Sequence, residues 1–245
     1  MPEQPERIAK YLARLGIGSR RQVERWLADQ RIRIDGALPP GPGTRISADN
    51  RITLDGKPLP RHKPATRLWR YHKPPGLLTS HGDTHARPTV FASLPPDMPR
   101  VISIGRLDLP SEGLLLLTND GELARRLELP ARGWERCYRV FTRGAPDAAG
   151  LDALNRGMRI NGMNYRCRAR MEKRERNGAR LHITLTEGKN RQIRRMLEHL
   201  GLETVRLIRL SHGPFRLGRL RPREFREVDF PLVLIQESEH AHQRR

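Results

Sequence analysis

Apolar residues in the first thirty positions recur at helical spacing. One set follows the i, i+3, i+4, i+7 pattern of a single helix face: Ile8, Tyr11, Leu12 and Leu15. This pattern predicts an amphipathic helix that ends at Gly16. Ser19 can then cap a second helix, because a serine side chain accepts a hydrogen bond from the free amides of a first turn. Two short strands, 31–35 and 51–54, are predicted next, and each leads to an Asp-Gly turn.

Beyond residue 67 the apolar positions alternate or form short runs, as in strands. The predicted strands include 101–104, 113–118 and 136–143. The predicted helices are 122–129, 151–157 and about 191–200. Two Asn-Gly pairs, at 161–162 and 177–178, predict tight hairpins. Hairpin-joined strands with helices between them indicate an α+β fold around a largely antiparallel mixed sheet.

These patterns divide the chain into four segments. Residues 6–59 are predicted to form a small independent module, and the polar stretch 60–67 a linker. Residues 68–235 are predicted to form the larger domain, and 236–245 a polar tail. No internal repeat interrupts this organisation.

The charge of the chain points to a polyanionic partner. Its 47 Lys and Arg residues exceed its 27 Asp and Glu residues, for a formal net charge of +20. Nucleic acid suits such an excess, because each neutralised phosphate releases a counterion. The apolar runs are too short to span a membrane, and the N terminus lacks an apolar signal region, so we expect a cytoplasmic protein. A stripe of cations on a helix is often only a solvated face. Few acids are interspersed on the two N-terminal helices, however, so five of their cations are expected to contact RNA: Arg7, Lys10, Arg20, Arg21 and Arg25.

A candidate for chemistry is Asp108, between Gly105 and Gly113 on a tight connection of two apolar strands. Rigid strands can hold such a loop so that its carboxylate acts as a nucleophile. An aspartate in a Gly-Pro turn is, however, more often a turn former. Glu112 and Asp120 could supply the second carboxylate of a glycosidase, although a strongly basic surface is unusual for a neutral sugar.

Tyr138 and the pair Ile193–Arg194 can each be interpreted either as ordinary structural residues or as functional ones. Tyr138 is either a half-buried strand residue or an aromatic side chain with a functional role. In the last helix, predicted to be capped by Asn190, Ile193 belongs to the apolar stripe and Arg194 to its border. Such an arginine either faces solvent or reaches into a cleft. His81 and His85 stand four apart in a loop without a third ligand, so no metal site is predicted.

Three stretches resemble known families. "RIAKYLARLGIGSRRQVERWLADQRIRIDG" resembles an S4 domain, a small RNA-binding module. "GRLDLPSEGLLLLTNDGELA" is similar to the catalytic motif of the RsuA/RluB branch of pseudouridine synthases, with Asp108 at the catalytic aspartate and Ser111 where threonine is usual. Tyr138 matches the tyrosine that stacks on the target base. In "EGKNRQIRRM", Ile193 and Arg194 match a pair that lines the site, where the arginine pairs with the aspartate and favours its ionised form.

The resemblance implies an enzyme that isomerises uridine in ribosomal RNA without a cofactor or metal. Arg106 and Leu107, next to Asp108, are then expected to contact the substrate as well. "GSRRQVE", "RPTVF" and "WERCYRV" look more like the large-subunit (23S) enzymes than the small-subunit (16S) enzymes. The predicted partner is thus 23S rRNA or an assembling ribosomal subunit, bound by a monomer. The alternative from another class is a non-enzymatic RNA-binding assembly factor, which the composition fits equally well.

Overall fold

The structure is a computed structural model that describes residues 5–47, 49–82, 86–129 and 133–228. The chain divides into two compact units. One unit reaches to Arg67 and also contains Pro96–Ile102 and Asn119–Gly121. The other contains Leu68–Pro95, Ser103–Thr118 and the chain from Glu122 onward. The predicted tail 236–245 lies outside the described residues, and the predicted domain boundaries stay predictions.

The first unit packs two helices and short strands around its own apolar core. Its elements are β1 (Glu6–Arg7), α1 (Ile8–Arg14), α2 (Arg20–Ala28), β2 (Ile32–Ile34), β3 (Arg45–Ile46), β4 (Ile52–Leu54) and β5 (Lys57–Pro58). The apolar face predicted for α1 is buried in this core, together with Val23 and Ile32. The predicted cap is confirmed, because Ser19 Oγ accepts a hydrogen bond from the Gln22 amide at 3.1 Å. The β1–β3 pair was not predicted, since two-residue strands leave no periodic pattern.

The rest of the chain supplies most of the strands. The elements are β6 (Leu68–Lys73), a short 3-10 helix (Phe91–Ser93), β7 (Ile102–Ile104), β8 (Glu112–Thr118), α3 (Gly121–Glu128), β9 (Arg136–Arg143), α4 (Ala148–Arg156), β10 (Met158–Ile160), β11 (Met163–Tyr165), β12 (Arg168–Glu175), β13 (Gly178–Leu185), α5 (Gln192–His199), β14 (Glu203–His212), β15 (Phe215–Arg216) and β16 (Phe225–Glu227). The strand predicted over 136–143 coincides with β9.

Within the described residues, nine of these strands form one mixed sheet. Its main path runs β12-β13-β9-β14-β8-β6-β16, with β15 beside β14 and β7 beside β8. Along this path only β14 and β8 run parallel, and the other neighbours are antiparallel. The predicted α+β class with a largely antiparallel mixed sheet is therefore confirmed.

The middle of the sheet is its most deeply buried part. Leu114, Leu115, Leu116 and Leu117 of β8 are all fully buried. Gly113 pairs with Arg209 of the parallel strand β14. A Cβ atom at position 113 would lie 2.4 Å from the Arg209 carbonyl oxygen, and the glycine has φ +103°. Only glycine therefore permits this close approach of the two backbones.

Two local predictions need correction. The second Asn-Gly pair does mark a hairpin, but its turn falls on Arg176 and Asn177, because β13 already begins at Gly178. A Cβ atom there would lie against the Thr142 carbonyl, so this glycine serves close packing. The predicted cap Asn190 is wrong. Arg191 precedes α5 in a left-handed conformation (φ +51°), and no side chain caps the helix.

Candidate active site

A cavity of about 460 Å³ opens in the second unit. Its wall combines the loop before β8, the start of β9 and the first turn of α5. It gathers six of the residues predicted from sequence to serve chemistry or substrate: Arg106, Leu107, Asp108, Tyr138, Ile193 and Arg194. The volume lies in the range of about 300–1,000 Å³ that is usual for small-molecule sites. Residues separated by almost ninety positions in sequence thus share one pocket.

The loop that carries Asp108 is tied down through its backbone. The Gly105 amide donates to Glu128 Oε1 at 2.6 Å, and the Leu107 carbonyl accepts from Thr79 Oγ1 at 3.0 Å. A turn follows, in which the Ser111 amide donates to the Asp108 carbonyl at 3.0 Å. These hydrogen bonds hold the backbone of the loop in place on both sides of the half-buried Asp108.

Lys73, at the end of β6, is the main anchor of this loop. Its side chain is fully buried. The ammonium donates to the carbonyl oxygens of Asp108, Leu109 and Ser111 at 3.2, 3.3 and 2.8 Å, and to that of Pro74 at 3.1 Å. Burial lowers the pKa of Lys73 from 10.5 to about 8, while the Asp108 charge opposes this change. The sequence around Lys73 carries no local signal of this role, because the carbonyl groups that it binds lie 35 or more positions away, except for that of Pro74.

Tyr138 and Ile193 provide two of the apolar surfaces of the cavity. Tyr138 lies on β9 and is only 8% exposed, and Ile193 in the first turn of α5 is 4% exposed. Both line the cavity with Leu107. Flat aromatic and branched aliphatic groups of this kind can hold a planar base between them. The alternation predicted for β9 holds, because Tyr138, Val140 and Thr142 are buried while the residues between them are half-buried.

Arg194 is half-buried at the edge of the α5 apolar stripe. Its Nη1 donates to the Thr204 carbonyl at 3.2 Å, and its Nη2 lies 3.5 Å from the Pro110 carbonyl oxygen in the turn after Asp108. Burial lowers the pKa of Arg194, and so does Arg191, whereas the charge of Asp108 raises it. Asp108 therefore acts on this guanidinium electrostatically. A direct hydrogen-bonded pair between the two side chains stays a prediction.

The cavity wall also contains cations that sequence analysis did not single out. They are Arg136, Lys189, Arg191 and Arg209. Burial lowers the pKa of Arg136 below its ordinary value. Arg209 is 2% exposed, and its Nε donates to the Leu114 carbonyl at 2.7 Å. No local sequence signal marks Arg209, because its surroundings come from strands distant in sequence.

The five cations predicted to contact RNA from the first unit are all exposed. Three of them, Arg7, Lys10 and Arg20, line a second cavity of about 1060 Å³ on that unit. Arg45 of β3 lines it too and was not predicted. Lys10 forms an ion pair with Glu6 at 3.3 Å, and Glu6 also binds Arg14 at 2.7 Å. The exposed cations of this surface can bind a polyanion by displacing its counterions.

The carboxylates considered for a glycosidase have other partners. Glu112 is buried, and Arg206 binds it through two hydrogen bonds, at 2.5 and 3.1 Å. Asp120 Oδ2 accepts from Lys63 and Thr66, both at 2.6 Å. The His81 ring stacks on Phe91 with 3.5 Å between centroids, and His85 lies outside the described residues. None of the described helices is long and apolar enough to cross a membrane.

Two family models match the chain. The model of RNA pseudouridylate synthases covers residues 67–199, and the S4 domain model covers residues 6–38. The first match takes in the whole 105–111 loop, β9 and α5. The second takes in both helices of the first unit. Most residues that line the cavity, up to Arg194, thus fall within the synthase match, and the five predicted RNA-binding cations fall within the S4 match.

Full-length relatives agree with these matches. The chain is 43% identical to an uncharacterized RNA pseudouridine synthase of Rickettsia bellii, over 91% of this chain and 96% of that protein. It is 36% identical to the ribosomal large subunit pseudouridine synthase B of Pseudomonas aeruginosa, over 93% of this chain and 63% of the relative. A crystal structure of a pseudouridylate synthase has the same fold, with a TM-score of 0.65, 24% identity and coverage of 95% and 99%. The chain therefore belongs to the RNA pseudouridine synthases, in the RsuA/RluB branch that joins an S4 domain to the catalytic domain, and it is an isomerase that acts on RNA.

Proposed function

We propose that this enzyme converts a specific uridine of large-subunit ribosomal RNA to pseudouridine, with Asp108 as the catalytic residue. The observation that carries the proposal is that Asp108, Tyr138 and Arg194 line the same cavity. A turn-forming aspartate would have no reason to share a pocket with an aromatic surface and a guanidinium.

The proposed reaction begins with a uridine that leaves its stack and enters the cavity. Tyr138 and Ile193 replace the stacking that the base has lost, and Leu107 lines the same cavity. The anchored loop holds Asp108 toward the ribose, where it acts either as a nucleophile on C1′ or as a base on the sugar. The N1–C1′ bond breaks, the uracil turns and C5 joins C1′. C5 loses its proton and N1 gains one, so nothing is oxidised or reduced.

Arg106 and Arg194 are proposed to fix the position of the substrate. Arg106 is exposed at the mouth of the cavity, next to Asp108, where it can bind the RNA backbone. Arg194 reaches the turn after Asp108 and keeps a positive charge close to the carboxylate.

Ribosomal RNA as the substrate is supported by the S4 match and by the relatives. The Pseudomonas aeruginosa protein is named for the large ribosomal subunit. The exposed cations Arg7, Lys10, Arg20, Arg21 and Arg25 would bind folded RNA by charge and shape. We further propose that the enzyme acts as a monomer in the cytoplasm, on rRNA or on an assembling subunit.

Asp108→Asn tests the catalytic assignment, because it keeps the shape of the side chain and removes its charge. Pseudouridine in 23S and 16S rRNA would be mapped in cells that lack the gene and carry either the wild-type or the variant copy. We expect one 23S position to lose its pseudouridine in the deletion strain and to regain it only with the wild-type gene. The purified variant should be at least about 1,000-fold slower, as expected when a nucleophile is removed.

The same experiment separates the alternatives. Loss at a 16S position would identify a small-subunit enzyme. A wild-type rate for Asp108→Asn would refute the catalytic role of this residue. Unchanged pseudouridine together with defective subunits in the deletion strain would favour an assembly factor.

A further inference from the structure

Arg209 is a buried cation that the structure leaves largely without partners. It lies on β14, in register with Tyr138 on β9 and with Gly113 on β8. Its Nε binds the Leu114 carbonyl, but its Nη2 is buried and has no hydrogen-bond partner among the described residues. A guanidinium with unused donors is costly to bury. A group in such a state calls for a ligand or a role in function.

The surroundings of Arg209 are positively charged. Its charge lowers the pKa of Lys73, of Arg136 and of His212. Burial, with the charges of Arg209 and Arg136, brings the pKa of His212 to about 3, so this histidine is neutral near pH 7. No ion pair within the described part of the chain includes Arg209. Positive potential therefore accumulates on this side of the cavity.

The position of Arg209 selects which part of a substrate it can meet. The cations at the mouth, Arg106, Lys189 and Arg191, are exposed, whereas Arg209 is 2% exposed. The phosphates of a flipped nucleotide remain with the RNA strand and reach only the mouth, while the base enters deepest. Opposite residues in neighbouring strands project from the same face of the sheet. Arg209 therefore lies beside the tyrosine against which the base would stack.

The chemistry of the reaction supplies a partner for this guanidinium. When the N1–C1′ bond breaks, its electron pair moves to N1 and spreads over the carbonyl oxygens O2 and O4 of the uracil. The detached base is then an anion. Donors fixed in advance at a position where charge develops lower the barrier, because they need no rearrangement during the reaction.

We infer that Arg209 is a further catalytic residue, which donates hydrogen bonds to a carbonyl oxygen of the flipped uracil and stabilises the uracil anion after the N1–C1′ bond breaks. The inference rests on the proposed function. In this division of roles, Arg209 stabilises the leaving base and Asp108 acts on the ribose. The exposed arginines at the mouth, Arg106 and Arg191, would bind the RNA backbone.

The test compares two target nucleotides in the same rRNA fragment, uridine and 5-fluorouridine. Fluorine withdraws electrons and stabilises the uracil anion, so the fluorinated base needs less help from the enzyme. Single-turnover consumption of the target nucleotide is measured for wild type, Arg209→Gln and Arg209→Lys, and the RNA Kd by filter binding. Arg143→Gln is the matched control, because Arg143 is an exposed residue of β9 that pairs with Glu203.

With uridine, Arg209→Gln should lower the single-turnover rate by about 100-fold, the usual effect of removing one preorganised donor. With 5-fluorouridine, the deficit should shrink to about tenfold, because the better leaving base depends less on electrostatic stabilisation. The RNA Kd of Arg209→Gln should stay within about twofold of the wild-type value. The single-turnover rate of the control Arg143→Gln should also stay within about twofold of wild type. Arg209→Lys keeps the charge and should show an intermediate rate with the same trend, which covers the case that Arg209→Gln does not fold.

Three outcomes would overturn the inference: an unchanged rate, an equal deficit with both bases, or a loss confined to the RNA Kd. An effect confined to Kd would instead identify a phosphate contact. Asp108→Asn is measured on the same RNAs. Should that variant keep full activity, the proposed function fails. If only the Asp108 variant is slow and Arg209→Gln is as fast as wild type, the role of Arg209 alone is refuted.

Discussion

The basic residues of the two units differ in their exposure to solvent. In the first unit, the predicted RNA-binding cations are exposed on or beside two short helices. In the second unit, Lys73 and Arg209 are buried, and their hydrogen bonds go to backbone carbonyls. An exposed charge keeps its hydration until a polyanion displaces counterions from around it. A buried charge loses its hydration during folding and must find fixed acceptors instead.

The exposed cations should therefore determine the affinity for RNA, and the buried cations the geometry of the active site. Exposed cations contribute to RNA affinity in proportion to the number of phosphates they meet, and salt weakens them. Buried cations hold one loop in place or face one part of the substrate, and salt screens them much less. Substitutions in the two groups should therefore change different measured quantities.

Among substitutions that compare the buried and the exposed cations, the largest effect is expected for Lys73→Met, which removes the donor shared by the carbonyls of the Asp108 loop. The single-turnover rate should fall by about 100-fold, the cost of a displacement of about 1 Å of a catalytic group. The RNA Kd should change by less than about twofold, because Lys73 meets no phosphate. Lys173→Met, an exposed lysine of β12, is the control and should behave as wild type. A loss of RNA affinity as large as the loss of rate would contradict the separation.

A smaller effect, of the opposite kind, is expected for the triple variant Arg20→Gln, Arg21→Gln and Arg25→Gln in α2. Its RNA Kd should rise by about 30-fold near physiological salt, and the salt dependence of log Kd should decrease in slope by about 3, one unit for each lost phosphate contact. The rate at saturating RNA should not change. Arg31→Gln is the control, since Arg31 already pairs with Asp55 at 2.6 Å. An unchanged salt slope would show that α2 does not meet the RNA backbone.

The smallest effect concerns pH. Burial brings the pKa of Lys73 to about 8. Above this pH the side chain loses its positive charge and one of its three N–H donors, so it binds the four carbonyl oxygens more weakly. The single-turnover rate should therefore be about tenfold lower at pH 9 than at its maximum, following the protonated fraction of a group with this pKa. Lys73→Arg, which stays protonated, should lack this decline. A flat rate between pH 7.5 and 9.5 in the wild-type enzyme would refute the assignment.

Stability should move in the other direction over the same pH range. The folded state binds the Lys73 proton less tightly than the unfolded chain, whose lysine has its ordinary pKa of 10.5. The contribution of this residue to the free energy of unfolding therefore rises as the pH increases from about 8 to 10.5. Chemical denaturation at pH 8 and 9.5 distinguishes a loosened loop from general unfolding.

Local signals explain what could be predicted from the sequence. The α1 stripe, the Ser19 cap and the β9 alternation each depend on residues within one or two turns of each other. The motif around Asp108 identified the family, and with it the approximate membership of the cavity, including Tyr138, Ile193 and Arg194. These features could be predicted because each depends mainly on residues that are close in sequence.

The remaining features depend on contacts between distant segments. Lys73 meets the Asp108 carbonyl 35 positions away, and Arg209 meets the Leu114 carbonyl 95 positions away. Arg191 in its left-handed conformation and the short β1–β3 pair likewise leave no periodic signal. The buried cations were therefore missed, although the exposed ones on the helices were found from their spacing.

The parallel pairing of β8 with β14 also sets a time at which the enzyme can become active. The loop before β8 leaves the ribosome early, yet Arg209 follows about a hundred residues later. Contacts of such large sequence separation form late, after much of the chain has been synthesised. A nascent chain that stops before β14 has no complete cavity. Prematurely terminated chains would therefore be catalytically inert, and chemistry would begin only once the last strands have joined the middle of the sheet.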